Sequence, residues 1–140
     1  MKAAILDIDS KIPNLALMKI ATFLKSKGWA VDFFRYNVTA YPRKNKKLIS
    51  FDGAGYDKVF ASILFTPNKN ILSVYNNENV VIGGTGYDID QNLLPEIDSL
   101  NPDYSLYPDN KISYGFITRG CIRECYFCFV PRKEGKLKKY

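Results

Sequence analysis

The chain contains no histidine. That absence removes the commonest general base near neutral pH and a common metal ligand. It excludes any Ser-His or Cys-His mechanism run by this chain alone. Long apolar runs are also missing. None approaches the roughly 20 residues that a membrane-spanning helix needs, so no membrane partner is expected. The opening residues reach a carboxylate, Asp7, after four apolar residues, Ala3 to Leu6. That stretch is too short for a signal peptide, and a cytoplasmic location is expected. Cysteine is scarce: there are three, an odd number, packed into eight residues. Such a set is a poor disulfide framework and good ligand spacing.

What is present fits a globular α/β protein. The 140 residues match the length prior for about one domain and suffice to bury a core. Apolar residues at 46% and charged residues at 24% are neither a disordered nor a membrane composition. The net charge of +6 is concentrated toward the end. Residues 131–140 hold Arg132, Lys133, Lys136, Lys138 and Lys139 against Glu134 alone. A second basic cluster lies at Arg43, Lys44, Lys46 and Lys47. Such clusters can bind phosphate backbones, but neither is interleaved with stacking aromatics. The plain reading is a solvated loop and a solvated tail, and no nucleic-acid partner is expected.

Apolar periodicity divides the chain into alternating elements. Residues 3–8 read as a buried strand and residues 14–27 as a helix, with Pro13 at its start and Gly28 at its end. Residues 30–36 and 58–65 read as further strands, with a polar, basic loop over 39–52. Pro67 opens a predicted short helix running to about Tyr75. Residues 80–82 form a fourth strand that runs into Gly83-Gly84-Thr85-Gly86. Residues 93–100 read as helical and 103–106 as a brief fifth strand. This alternation predicts a mainly parallel sheet of four or five strands, with helices on both faces, over residues 1–107. Pro108, Asp109 and Asn110 then mark a break, and residues 112–118 read as a new strand leading into the cysteines.

Asp7 and Asp9 flank the end of the first strand, at the carboxyl edge where open α/β sheets usually bind ligands. They could hold a cation. The more ordinary expectation is that they cap the following helix and solvate its loop.

The informative stretch is Thr118-Arg119-Gly120-Cys121-Ile122-Arg123-Glu124-Cys125-Tyr126-Phe127-Cys128. The spacing is C-x3-C-x2-C, with an aromatic before the last cysteine. Thiolates are the usual ligands of iron–sulfur clusters. Three of them on one loop leave the fourth iron of a cubane open to a small molecule, as reactive metal sites require. A zinc knuckle is the alternative, and it needs a fourth ligand. With no histidine that ligand would be Glu124 or Glu134, and the alternative function is a small zinc-knuckle or nucleic-acid-binding module with no catalysis. Three unligated cysteines are the plainest alternative.

This string resembles the signature of the radical S-adenosylmethionine superfamily. The resemblance implies a [4Fe–4S] cluster on Cys121, Cys125 and Cys128. It implies S-adenosylmethionine on the open iron, split reductively to a 5′-deoxyadenosyl radical, with Phe127 beside the adenine. The preceding region resembles the Rossmann-like, cobalamin-binding-like domain found in one class of these proteins. Val81-Ile82-Gly83-Gly84 is similar to the strand-and-turn that such domains set near the cofactor, where glycine lets the backbone approach a ligand. A tight turn at a strand end is the other reading of these glycines. The family's cobalamin-ligating histidine has no counterpart here, so cobalamin is not expected.

The implied architecture is a Rossmann-like domain over 1–107, then the first strand and cluster loop of an incomplete radical S-adenosylmethionine barrel over 108–140. Only about 12 residues follow Cys128, so the chain reads as an N-terminal fragment, a truncated product or one piece of a split protein. The expected partner is the remaining barrel portion or a reductant protein. Catalysis by this chain alone is not expected.

Overall fold

The computed structural model describes residues 1–39, 47–123 and 125–139. Two compact units make up the chain, Met1–Asn110 and Lys111–Tyr140.

Unit 1 is an α/β domain around a four-stranded parallel sheet. Strands β1 (Lys2–Asp7), β2 (Ala30–Arg35), β4 (Lys58–Ser62) and β6 (Val80–Gly83) lie in the order β2-β1-β4-β6. All three pairings are parallel. The central strand β1 is buried from Ala3 to Asp7, as a strand covered on both faces must be.

Alternation along the strands sends side chains to two separate cores. Ala3 and Ile5 join Leu17, Met18, Ala21 and Leu24 of helix α1 (Leu15–Ser26). Ala4, Leu6 and Ile8 face the opposite way, with Val59, Ala61 and Ile63. Each large apolar side chain fully buried this way contributes about 1.5–3 kcal/mol.

Helix α1 begins where Asn14 caps it. The Asn14 Oδ1 accepts from the backbone N–H of Ala16 and Leu17, at 3.1 and 3.3 Å. The helix ends at Gly28, whose φ of +77° few other residues adopt without strain.

The second core is closed by a small parallel sheet rather than a helix. Strand β3 (Ile49–Asp52) pairs with β5 (Leu72–Tyr75). The expected loop over 39–52 is therefore a strand at its end, and the expected helix from Pro67 to Tyr75 is a single 3₁₀ turn, Thr66–Asn68, followed by a strand. Both departures have one cause. Ile49 and Phe51 turn inward while Ser50 and Asp52 are exposed, and Leu72 and Val74 are covered while Ser73 and Tyr75 are exposed. That is a period of two, which a helix cannot present. Helices on both faces are thus corrected to a helix on one face and two strands on the other.

The last part of unit 1 is a strap over α1. Helix α2 (Pro95–Asp98) is one short turn of the expected helix over 93–100. The expected fifth strand over 103–106 is instead a 3₁₀ turn, Tyr104–Leu106, capped by Asp103, whose Oδ1 accepts from Ser105 N at 2.9 Å. One face of α1 fastens the strap. Lys19 pairs with Asp98 at 2.8 Å, Thr22 donates to the Asn101 carbonyl at 2.7 Å, and Lys25 pairs with Asp103 at 2.6 Å. Leu106 and Tyr107 then enter the α1 core.

Unit 2 has little regular structure. Its elements are β7 (Thr118–Arg119), α3 (Val130–Glu134) and β8 (Lys138–Lys139), with β7 and β8 antiparallel. The strand expected over 112–118 is irregular until Thr118. Ile112, Phe116 and Ile117 are all exposed, so nothing buried fixes an alternating register there. Among the described residues no helix is long and apolar enough to cross a membrane.

Candidate metal centre

The cysteine loop of unit 2 is rooted at both ends. Gly120 has φ +84°, and a Cβ there would lie 2.4 Å from the Lys136 carbonyl oxygen. Only glycine allows this approach. Beside it the Arg119 guanidinium grips Glu134, with Nε to Oε2 at 2.8 Å and Nη2 to Oε1 at 3.2 Å. Both side chains are about three-quarters covered, so the pair fixes the strand before the loop to the helix after it. Cys121 forms a bridge with Lys136 and donates its N–H to the Gly135 carbonyl at 3.4 Å.

All three cysteines are free and partly buried. The Cys121 Sγ accepts from the Arg123 N–H at 3.4 Å. The Cys128 N–H donates to the Cys125 carbonyl at 3.0 Å, closing a turn between the second and third cysteines. Cys128 lies just before Phe129, the N-cap position of α3. The three thiols share one loop, but among the described residues no group of three His, Cys, Asp or Glu side chains is gathered closely enough to hold a metal ion.

The aromatic residues of the loop point outward. Tyr126 is 99% and Phe127 78% exposed, in edge-to-face contact with ring centroids 5.2 Å apart. Glu134 is not the solvent-facing group that a spare carboxylate would be, since Arg119 holds it. Glu124 lies outside the described residues, as do Arg43, Lys44 and Lys46 of the first basic cluster. Lys47 is exposed.

Gly83 and Gly84 belong to unit 1, at the end of β6. A Cβ on Gly84, with φ +101°, would lie 2.3 Å from the Ile63 carbonyl oxygen, and one on Gly86 would lie 2.4 Å from the Phe65 carbonyl carbon. The Gly86 N–H donates to that Ile63 oxygen at 3.0 Å, and Thr85 Oγ1 donates to the Leu64 carbonyl at 3.1 Å. The glycines therefore serve a close approach of the chain to itself. Gly83 is looser, meeting only the end of the Gln91 side chain at 3.0 Å.

The two aspartates at the sheet edge are structural. Neither caps α1, and both are fully buried. Asp9 accepts from the N–H of Leu64 and Phe65 at 2.8 and 3.1 Å, and from Asn68 Nδ2 at 2.8 Å. Asp7 accepts from the Ser10 N–H at 3.2 Å and the Tyr107 hydroxyl at 2.8 Å. Asn14 Nδ2 ties the same corner together through Ser10 Oγ and Ser62 Oγ, at 3.1 and 2.9 Å. Sequence reading placed the aspartates at this edge but had no signal for partners so distant along the chain.

The chain matches no protein-family model, no curated protein and no solved structure.

Proposed function

We propose that Cys121, Cys125 and Cys128 hold a [4Fe–4S] cluster with one open iron, and that the chain is part of a radical S-adenosylmethionine enzyme with a Rossmann-like N-terminal domain. The observation that carries this reading is three free thiols on one eight-residue loop, rooted at its base by Gly120 and by Arg119–Glu134. The donor set fits the group. Soft thiolates suit an iron–sulfur cluster, and the described carboxylate nearest in sequence, Glu134, is engaged by Arg119 instead of being offered as a fourth ligand.

Cys121, Cys125 and Cys128 would hold the cluster, which with an external reductant would supply the electron for reductive cleavage of S-adenosylmethionine. The chain's own residues bind and shape the site. The three cysteines would hold the irons, the Arg123 N–H would donate to the Cys121 sulfur, and the exposed Phe127 ring would offer an apolar face to adenine. For cobalamin the residues supply no imidazole, and the Gly84 turn is already filled by the Ile63 backbone.

Anaerobic reconstitution with iron and sulfide tests the reading. It should give about four irons per chain, and Cys125→Ala should abolish uptake. Phe127→Ala should keep the iron but weaken S-adenosylmethionine binding. One equivalent of zinc with no iron uptake would overturn the reading in favour of a closed structural site.

A further inference from the structure

The whole net charge of the protein sits in unit 2. That unit has eight of the 20 basic residues and two of the 14 acidic ones. The surplus equals the net charge of +6, so unit 1 is neutral. Arg123, Lys136, Lys138 and Lys139 are all exposed. Of the two acids, Glu134 is neutralised by Arg119.

The same unit exposes planar aromatic surface. Tyr126 is 99% and Phe129 54% exposed, on either side of Cys128. In the sequence the rings precede the basic tail and do not alternate with it. The fold sets the lysines at the root of the loop that carries the rings. Lys136 bridges to Cys121 at the root of the loop, and Lys138 and Lys139 pair with Arg119 and Thr118. Rings and lysines lie within one 30-residue unit, with Tyr126 ten to thirteen residues before Lys136, Lys138 and Lys139 in sequence, so a strand of several nucleotides is long enough to meet both.

We propose that unit 2 binds single-stranded nucleic acid, with Tyr126 and Phe129 stacking on bases and Arg123, Lys136, Lys138 and Lys139 on the phosphates. Positive charge combined with exposed rings is the recognised basis of sequence-tolerant single-strand binding. Two other partners fit less well. An amphipathic helix lying in a membrane surface is not available, since the helix of unit 2 has five residues. The core of a protein–protein interface is depleted in lysine, whereas five of the eight basic residues here are lysines. Phe127 is left to the proposed adenine contact. The binding does not require the cluster. If the cluster reading also holds, the bound strand is the substrate class of that site.

The test is fluorescence anisotropy of the full chain with labelled single strands of about 12 nucleotides, RNA and DNA. A duplex, heparin, an acidic protein and anionic vesicles serve as competitors, and iron is measured separately on the same preparation. Four phosphate contacts give a log–log salt slope of about −2.8, or about 50-fold between 50 and 200 mM. The double variant Tyr126→Ala/Phe129→Ala should weaken binding at least about five-fold. Lys138→Gln/Lys139→Gln should flatten the slope by about 1.4. These side chains are exposed, so the circular dichroism of each variant should match the parent. No binding at low salt overturns the proposal. So does heparin binding as tightly as the oligonucleotide, ring removal without effect, or capture by the acidic protein or vesicles alone. Iron uptake without oligonucleotide binding sinks this proposal only, and oligonucleotide binding without iron uptake sinks the cluster reading only.

Discussion

The Tyr107 hydroxyl donates to Oδ2 of Asp7 at 2.8 Å, joining the end of the strap to the first strand across 100 residues of sequence. Arg35 approaches the same oxygen, Nε at 3.4 Å, and its guanidinium lies over the Tyr107 ring, 5.2 Å from the centroid. Burial nevertheless dominates. It holds the Asp7 carboxyl above its ordinary value of 3.8, against the hydrogen bonds from Ser10 and Tyr107 and the charge of Arg35. Burial beside Asp7 also pushes the Tyr107 phenol up, so it remains a donor.

A pH profile of stability follows from the sign of that shift. A carboxyl raised in the folded state contributes stability that is complete below its unfolded value and is lost as pH rises through the folded value. Asp32 and Asp103 have the opposite sign. Asp32 is lowered by the hydrogen bond from Lys2. For Asp103 burial raises the value, but the bonds from Lys25 and Ser105 outweigh it. Their contributions are lost as pH falls below 3.8. Urea midpoints should therefore rise as pH is lowered from about 7 to about 4, then fall. The rise should disappear in Asp7→Asn. A flat profile above pH 4 in the parent protein would refute the assignment.

Asp9 is the junction between the ends of β1 and β4. Asp9→Ala strands the N–H groups of Leu64 and Phe65 and the Asn68 amide in a buried site. The expected loss is about 3 kcal/mol or more by denaturant unfolding. Asp52 makes similar bonds at the surface, to Ala54 N at 3.0 Å and Asn76 Nδ2 at 3.1 Å, and Asp52→Ala should cost about 1 kcal/mol or less. Equal losses would show that burial is not what makes Asp9 matter.

Three glycines separate backbone strain from close approach. Gly28→Ala meets nothing within 4 Å but keeps φ +77°, and should cost about 1 kcal/mol. Gly84→Ala adds collision with the Ile63 backbone to a positive φ, and should cost about 3 kcal/mol. Gly83→Ala displaces only the Gln91 side-chain end, for under about 1 kcal/mol. Thermal or urea unfolding of the three variants should give the order Gly84, Gly28, Gly83.

The strands of the main sheet were legible because each is a short apolar run bounded by turn residues. Pro13 and Gly28 likewise framed the expected helix over 14–27, which matches α1 to within a residue at each end. The second sheet was not legible. β3 and β5 are four residues each, and their period of two covers only Ile49 and Phe51 in one and Leu72 and Val74 in the other. In the strap, Leu106 and Tyr107 are held by α1, Asp7 and the core rather than by a neighbouring strand, and a local apolar run cannot distinguish these. The spacing of Cys121, Cys125 and Cys128 was readable at once. Their anchorage was not, since Arg119–Glu134 and the Gly120–Lys136 approach are contacts between separate segments, with no periodic signature.

The strap also sets an order of events during synthesis. β1 and α1 leave the ribosome first, yet Lys19 must wait for Asp98, 79 residues later. At about 5–20 residues per second that interval lasts about 4–16 s. Until Leu106 and Tyr107 emerge, the apolar surface formed by Ala3, Ile5 and Met18 lacks part of its cover. A nascent chain halted before Tyr107 leaves one side of that core uncovered, and exposed apolar surface of this kind is what makes folding intermediates prone to aggregation.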